Sequence, residues 1–177
     1  MKKILKLLEI HEFSMVYQIM SEAFPMAEIR TYENAKSLLK DDRYQIETIR
    51  NAENRIFGFI AAWDLGTFIF IEHLAVSEKI RGTGFGSKML KEYLDRCKRP
   101  VIIEVESTKM EGAKRRIDFY KRMGFSFSNF GYTQPDLQNT SQKIDLNIMS
   151  YPNQITKKEF LSFKKLLFRQ VYQADAM

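Results

Sequence analysis

The apolar positions of the chain follow two different spacings, which predicts a succession of helices and strands. Apolar residues recur every three or four positions over 13–24, and again after a glycine-rich segment at 82–86, as in amphipathic helices. Short apolar runs bounded by turn residues, such as "YQIETI" and "RIFGFIAAWD", predict strands. Asp64 and Gly66 indicate a turn between two of these runs and therefore a hairpin or meander.

The predicted order is a strand over 3–10, two helices, three strands, a helix, a strand, a helix, two strands and a C-terminal helix. The run "VIIEVES" at 101–107 lacks polar alternation until its end, which predicts a strand buried on both faces. Strands and helices mixed in this way predict an α/β (α+β) sheet domain.

The last predicted helix, over 156–173, opens with a capping-box pattern of Thr156 and Glu159. Its apolar residues lie on one face, which must be buried against another protein surface. We therefore expect a main domain over 1–152 and a helical extension over 153–177, packed on the same domain or on a second subunit of a homodimer.

Composition limits the class of protein. With 177 residues, 45% of them hydrophobic and 28% charged, the chain can form one domain with a full core. The single cysteine, Cys97, leaves no internal disulfide and favours a reducing, cytoplasmic setting. No apolar run approaches the length of a membrane span, and charged residues interrupt the basic N-terminal stretch, which argues against export.

The formal net charge of +6 fits a polyanionic partner, either nucleic acid or a phosphorylated cofactor, and it fits equally a surface that is merely soluble. The basic residues do not form one block, which weakens the nucleic-acid interpretation.

The most informative stretch is "IRGTGFGSKML", which lies between a predicted strand and a predicted helix and contains Gly82, Gly84 and Gly86. Glycines remove side chains, so backbone N–H groups can converge on an anion, and the following helix adds the positive end of its dipole. Ser87 stands where a Walker loop needs the glycine before its lysine, and where a dinucleotide fingerprint counted from Gly82 needs its third glycine. Both templates therefore fail.

A third template fits: Arg or Gln, two residues, Gly, one residue, then Gly or Ala, which is matched from Arg81 to Gly86. This pattern resembles the pyrophosphate-binding signature of the GNAT superfamily of N-acetyltransferases. "EHLAVSEK", "VIIEVES" and "RRIDFYKRMGF" are placed like the family's fourth strand, fifth strand and cofactor-closing helix, and the resemblance extends over 3–150.

The resemblance implies a mixed, mostly antiparallel twisted sheet of about seven strands with flanking helices, to which the C-terminal helix is an addition. It also implies acetyl-CoA as cosubstrate and no metal. The residues that it places at the pyrophosphate are Arg81, Gly82, Thr83, Gly84, Phe85, Gly86 and Ser87.

In this family the fourth and fifth strands diverge, and the pantetheine arm of the coenzyme pairs with strand backbone between them. By position that backbone is Leu74, Ala75 and Val76, and an N–H group there would polarise the thioester carbonyl. Tyr120 matches the family tyrosine that donates a proton to the departing sulfur.

The sequence leaves open which residue is the general base. Glu72 shares strand parity with Phe68 and Phe70, and burial beside such rings would raise its pKa and suit it to accept a proton. His73, expected on the opposite face, and Glu28 are alternatives. Catalysis without a base, with water carrying the proton away, is a further alternative.

One departure from the family concerns the coenzyme. Many relatives place an asparagine seven residues before the tyrosine and an alanine four before it, where this chain has Ala113 and Arg116. Ser107 or Thr108 is then expected to replace the missing contact with pantetheine.

The leading interpretation is an N-acetyltransferase that transfers the acetyl group of acetyl-CoA to a primary amine by direct attack in a ternary complex. The alternative is an acyl-CoA-binding sensor or partner-binding module without turnover, and a nucleic-acid-binding protein ranks last. The acceptor, a small molecule or a protein amine, is expected between loops 24–33 and 131–142. Acidic residues in or next to these loops that could attract a cationic amine are Glu22, Glu28, Glu33 and Asp136.

Overall fold

The computed structural model describes residues 4–107 and 112–174, which form one seven-stranded sheet with helices on both faces. The spatial order of the strands is β1-β2-β3-β4-β5-β7-β6, and every neighbouring pair is antiparallel except β4 and β5. This architecture confirms the predicted fold class. The strands are β1 Leu5–Leu7, β2 Tyr44–Arg50, β3 Ile56–Asp64, β4 Ile69–Val76, β5 Val101–Glu106, β6 Ser126–Gln134 and β7 Ile144–Tyr151.

Five α-helices in the described part of the chain flank the sheet, and the last continues into a π-helical turn, Phe168–Tyr172. The helices are α1 Phe13–Ala23, α2 Tyr32–Ser37, α3 Phe85–Arg96, α4 Ala113–Arg122 and α5 Lys157–Leu167. Within the described residues, none of these helices has both the length and the apolarity that crossing a bilayer requires.

The sheet separates two apolar cores, one on each face. The α1/α5 core contains the buried faces of these two helices together with Phe59 and Phe70 from the sheet. The α3/α4 core contains the buried faces of α3 and α4 together with Ile71 and Ile103. Alternate residues of β4 and β5 thus point into different cores, as strand pleating requires.

The apolar face of α5 is covered by its own chain. Phe163 is fully buried, and its ring centroid lies 5.9 Å from that of Phe68 and 5.8 Å from that of Phe70. The helix begins at the expected capping box, in which the Thr156 hydroxyl accepts from the Glu159 N–H at 3.2 Å. Because the face packs on the sheet, it is not available to a second subunit.

The first strand is shorter than the predicted 3–10 and covers only Leu5–Leu7. A 3₁₀ turn follows at Ile10–Glu12, where the Glu12 carboxylate accepts a hydrogen bond from the Glu9 N–H at 3.1 Å. This local acceptor stabilises the turn, so the apolar run cannot continue as a strand.

The parallel contact between β4 and β5 is brief. It covers three pairs only, Ile69 with Val101, Phe70 with Ile102, and Ile71 with Ile103. Beyond these pairs β4 continues beside β3 and β5 continues beside β7, so the two strands diverge. The divergence opens a gap in the middle of the sheet.

Candidate active site

A cavity of about 550 Å³ occupies the gap between β4 and β5. Its walls come from the second half of β4, the glycine segment, β5, α4 and the loop after α1, and Tyr172 of the C-terminal turn also lines it. Residues far apart in the chain therefore meet at one concave site, which is where ligand sites form in most proteins.

The glycine segment has the backbone that an anion site needs. Gly82 and Gly84 have φ of +81° and +84°, a region that side chains other than glycine's rarely adopt. A Cβ atom built on either would meet nothing within 4 Å, so the space in front of them is open. Their N–H groups donate no hydrogen bond to any described residue, and α3 begins at the next position.

Arg81 belongs to this segment, and Arg115 and Arg122 of α4 also line the cavity. Basic side chains around free N–H groups suit phosphate oxygens. Of the ten residues expected at the coenzyme, eight line the cavity: Leu74, Ala75, Val76, Arg81, Gly82, Gly84, Gly86 and Ser87.

The side chains of the other two turn away. Thr83 donates its hydroxyl hydrogen bond to the Ile80 carbonyl at 2.6 Å, and Phe85 packs its ring against Phe57 at 5.1 Å. Only their backbone can therefore contribute to the site.

A β-bulge at Glu72 changes the predicted faces of β4. Ala61 of β3 is paired with His73 and the next residue, Ala62, is paired with Ile71, so Glu72 has no partner across the strands. Glu72 and His73 consequently lie on the same face, toward the α1/α5 core. The expectation that His73 points to the opposite face is wrong, because strict alternation fails across the extra residue.

Glu72 is bound in a buried ion pair with Arg30, and its other oxygen accepts a hydrogen bond from Trp63 Nε1 at 2.9 Å. Burial acts to raise the pKa of Glu72, but the Arg30 charge and these hydrogen bonds outweigh it and hold the pKa below its usual value. The expected raised pKa is therefore wrong.

His73 is a neutral, buried side chain. Its Nε2 lies 3.2 Å from the Glu28 carbonyl oxygen, which can only accept, so Nε2 carries the proton. Burial lowers the pKa of His73, and its ring packs edge-on against Phe24 at 4.8 Å between centroids. This environment makes it a weaker base than an exposed histidine.

Glu104 is the functional candidate that the sequence did not identify. It is the first β5 residue beyond the last β4–β5 pair, and it lines the cavity. Its Oε1 accepts hydrogen bonds from the hydroxyls of Tyr132 at 2.7 Å and Tyr172 at 2.6 Å. Burial raises the pKa of Glu104 to about 7 although both hydrogen bonds act to lower it. A carboxylate flanked by apolar residues within the strand, Ile103 and Val105, was the available signal.

Two further carboxylates line the same region and share one arginine. The Nη1 atom of Arg116 lies 2.6 Å from Glu106 Oε2 and 4.0 Å from Glu28 Oε2. Burial and the neighbouring Glu106 charge raise the pKa of Glu28 to about 7. Four carboxylates, those of Glu28, Glu72, Glu104 and Glu106, thus line the same cavity as the glycine segment.

Tyr120 lies on α4 with its side chain in the cavity wall, and only 7% of the residue is exposed. Burial raises the pKa of Tyr120 to about 12, so the phenol keeps its proton at neutral pH. Its hydroxyl has no hydrogen-bond partner within 4–107 and 112–174. It is therefore a free donor at the cavity surface.

The two expected acceptor loops are hydrogen-bonded to each other. Gln138 Nε2 donates to the carbonyls of Met26 and Ile29 at 3.1 and 2.7 Å, and Gln134 Nε2 donates to that of Ala27 at 3.1 Å. Asp136 organises its own loop, since it accepts from the N–H groups of three following residues: Gln138, Thr140 and Ser141. Asp136 is therefore a loop residue rather than a free anion for an amine.

Among the other acidic candidates, Glu22 and Glu33 are exposed on helices and only Glu28 lines the cavity. For the missing asparagine, Ala113 is buried at the start of α4, and Ser107 is not among the described residues that line the cavity. Thr108 lies outside the described residues. In the part of the chain that is described, no three His, Cys, Asp or Glu side chains are grouped as a metal site.

The comparisons with known proteins agree with this geometry. YjbC of Bacillus subtilis strain 168, provisionally named an acetyltransferase, is 28% identical over 160 residues, which cover 88% of this chain and 80% of that protein. A Bacteroides thetaiotaomicron structure, provisionally named a GNAT-family acetyltransferase, superposes with a TM-score of 0.87 at 26% identity over 97% of this chain and 99% of that one.

The ribosomal-protein-S18-alanine N-acetyltransferase of Escherichia coli shares the fold, with a TM-score of 0.64 at 18% identity over 87% of this chain and 96% of that chain. The family model described as "Acetyltransferase (GNAT) family" matches residues 10–125, a span that contains the glycine segment, the divergence of β4 and β5, and Tyr120. The chain therefore belongs to the GNAT family of acetyltransferases.

Proposed function

We propose that the protein transfers the acetyl group of acetyl-CoA to a primary amine, with both substrates bound together in the cavity between β4 and β5. One observation carries the proposal: an open glycine segment with neighbouring arginines and a group of carboxylates line a single cavity. The first suits the phosphates of a coenzyme and the second suits a cationic amine. Acetyl-CoA supplies the activated acetyl group.

The residues present fit such a coenzyme. The free N–H groups of Gly82 and Gly84 and the start of α3 would hold the pyrophosphate, with Arg81, Arg115 and Arg122 supplying charge. The β4 backbone over Leu74–Val76 lines the gap and would take the pantetheine arm.

Glu104 is our choice for the general base. A base must be ionised at the working pH yet able to hold a proton, and a pKa of about 7 meets both conditions. Glu104 also lies where β4 and β5 part, at the inner end of the gap. Glu72 is the corresponding residue of β4, the first beyond the last β4–β5 pair. Its ion pair with Arg30 makes it a weak proton acceptor. Glu28, with a similar pKa, is the second candidate.

Tyr120 is our choice for the acid. Its phenol is protonated at neutral pH and has no partner among the described residues, so it can donate to a departing thiolate. Glu104 would accept one proton of the ammonium group on Oε2, which frees the nitrogen lone pair to attack the thioester, and would release that proton to solvent after the reaction. Tyr120 would give its hydroxyl proton to the departing thiolate and would be reprotonated by the proton that the acylated nitrogen loses. Overall, the ammonium form of the acceptor and acetyl-CoA give the N-acetyl product, free CoA thiol and one released proton.

A panel of amines tests the proposal, with release of the free CoA thiol as the readout. We expect turnover with at least one small or peptidic primary amine. Tight binding of acetyl-CoA by calorimetry without turnover on any amine would contradict the enzyme and support the acyl-CoA-binding sensor.

Gly86 offers the cleanest test of the coenzyme segment. It has no positive φ, and a Cβ there meets only Val76 Cγ1, at 3.9 Å. The motif accepts alanine at this position, so Gly86→Ala should bind acetyl-CoA like the parent. Gly86→Leu fills the cavity wall and should weaken binding by about tenfold or more, equivalent to about 1.4 kcal/mol. Equal affinity of both variants in calorimetry would mean that the segment does not hold the coenzyme.

Glu104→Gln should lower kcat by about 10²-fold at saturating substrates and remove an acidic limb of the pH–rate profile near pH 7. The sign follows from the base role: below pH 7 Glu104 is protonated and the parent rate falls. As the matched control, Glu72→Gln should keep an acidic limb, moved to lower pH because the Glu72 charge no longer opposes ionisation of Glu104, and should lower the free energy of unfolding by about 3–5 kcal/mol because buried Arg30 loses its charged partner. A limb that survives in Glu104→Gln and disappears in Glu72→Gln would reverse the two roles.

Tyr120→Phe keeps the ring in the α3/α4 core and removes only the hydroxyl. Acetyl-CoA affinity should persist while kcat falls by about 10²-fold, as expected when a proton donor is lost. Tyr93→Phe, a substitution in the same core but away from the cavity, is the control. A parent rate for Tyr120→Phe with the best acceptor would make Tyr120 a core residue only.

A further inference from the structure

The C-terminal π-helical turn reaches the inner end of the cavity. Phe168 and Val171 are buried in the α1/α5 core, and the turn is closed by a hydrogen bond from the Ala174 N–H to the Phe168 carbonyl at 2.9 Å. This packing brings Tyr172 into the cavity wall, 68 positions along the chain from Glu104. π-Helical turns are often found at functional sites.

A second contact fixes the turn to the same region. Arg30, the partner of Glu72, donates from Nη2 to the Val171 carbonyl at 3.1 Å, and this bond is buried. One arginine therefore joins the β4 bulge to the C-terminal segment, immediately beside the residue that binds Glu104.

The two tyrosines occupy one oxygen of Glu104. Both hydroxyls donate to Oε1, whereas Oε2 accepts no hydrogen bond from any residue in 4–107 or 112–174. Because Glu104 lines the cavity, Oε2 is the oxygen left for a ligand. Two short hydrogen bonds from different elements also fix the orientation of the carboxylate.

We propose that the C-terminal segment is part of the acceptor site, with Tyr172 as a positioning residue that works together with Tyr132 to hold the Glu104 carboxylate so that its second oxygen faces the substrate. This inference rests on the proposed role of Glu104 as base. It gives residues 168–174 a function that lies beyond the family's matched span of 10–125.

The protonation of Glu104 depends on the groups that face it. The groups that face it are Tyr132 on β6, Tyr172 on the C-terminal turn, Glu72 on β4 and Arg30 on the loop after α1. The tyrosine hydrogen bonds favour the ionised form, while the Glu72 charge opposes it and the Arg30 charge favours it. Removing one tyrosine hydroxyl must therefore make the carboxylate easier to protonate.

The test follows the carboxyl ¹³C signal of Glu104 by NMR during a pH titration of the full chain, with Glu104→Gln used to assign the signal. Tyr172→Phe should move the titration midpoint upward by about one unit. Tyr132→Phe should move it in the same direction, and the double variant should move it further. Tyr93→Phe, whose ring lies in the α3/α4 core, should leave it unchanged. An unmoved midpoint in folded Tyr172→Phe would overturn the proposal.

The rate profile separates this inference from the proposed function. If Glu104 is the base, the acidic limb of kcat in Tyr172→Phe should move with the NMR midpoint, with about a fivefold lower kcat at pH 7 and unchanged acetyl-CoA affinity. If the midpoint moves while the limb stays, Tyr172 still positions Glu104 but Glu104 is not the base. If Tyr172→Phe disturbs the packing of the C-terminal turn, Tyr132→Phe gives the same measurement, because it removes the other hydrogen bond to Glu104 Oε1.

Discussion

The parallel contact between β4 and β5 ends after three residue pairs, and the site is built on that separation. Each strand keeps its other neighbour, β3 or β7, so the gap opens inside a sheet that remains held on both sides. Backbone groups along the gap lose their partners across it and need a ligand or water instead. Helices on both faces anchor the two halves, and the cavity is therefore a stable part of the fold.

Two carboxylates stand at the point of separation, and their partners determine their chemistry. Glu72 faces a guanidinium, which keeps it ionised and fixes it as a structural anion. Glu104 faces two neutral hydroxyls, which orient it but do not offset its burial, so its pKa rises to about 7. Similar burial thus produces an ion pair on one strand and a proton acceptor on the other.

The sequence predicted what depends on local backbone chemistry. Glycines between a strand and a helix indicated the anion segment, and Gly82 and Gly84 indeed have positive φ. Hydrophobic spacing predicted the order of the elements, because each helix or strand buries one face. The capping box of Thr156 and Glu159 located the start of α5.

What the sequence could not reveal depends on contacts between distant residues. The bulge at Glu72 adds one residue to β4, and no pattern within "FIFIEHLAV" marks it. The low pKa of Glu72 depends on Arg30, 42 positions away. The orientation of the Glu104 carboxylate depends on hydrogen bonds from Tyr132 and Tyr172. Asp136 looked like a free anion because its acceptors are filled only once the loop is folded.

A crystal structure of the protein with acetyl-CoA would test the central claim most directly. We predict that the pyrophosphate lies on the N–H groups of Gly82 and Gly84, that the pantetheine arm lies along Leu74–Val76, and that the Oε2 atom of Glu104 faces the thioester from the acceptor side. A coenzyme bound outside the gap between β4 and β5, or a Glu104 carboxylate walled off from the thioester by Tyr132 and Tyr172, would contradict it.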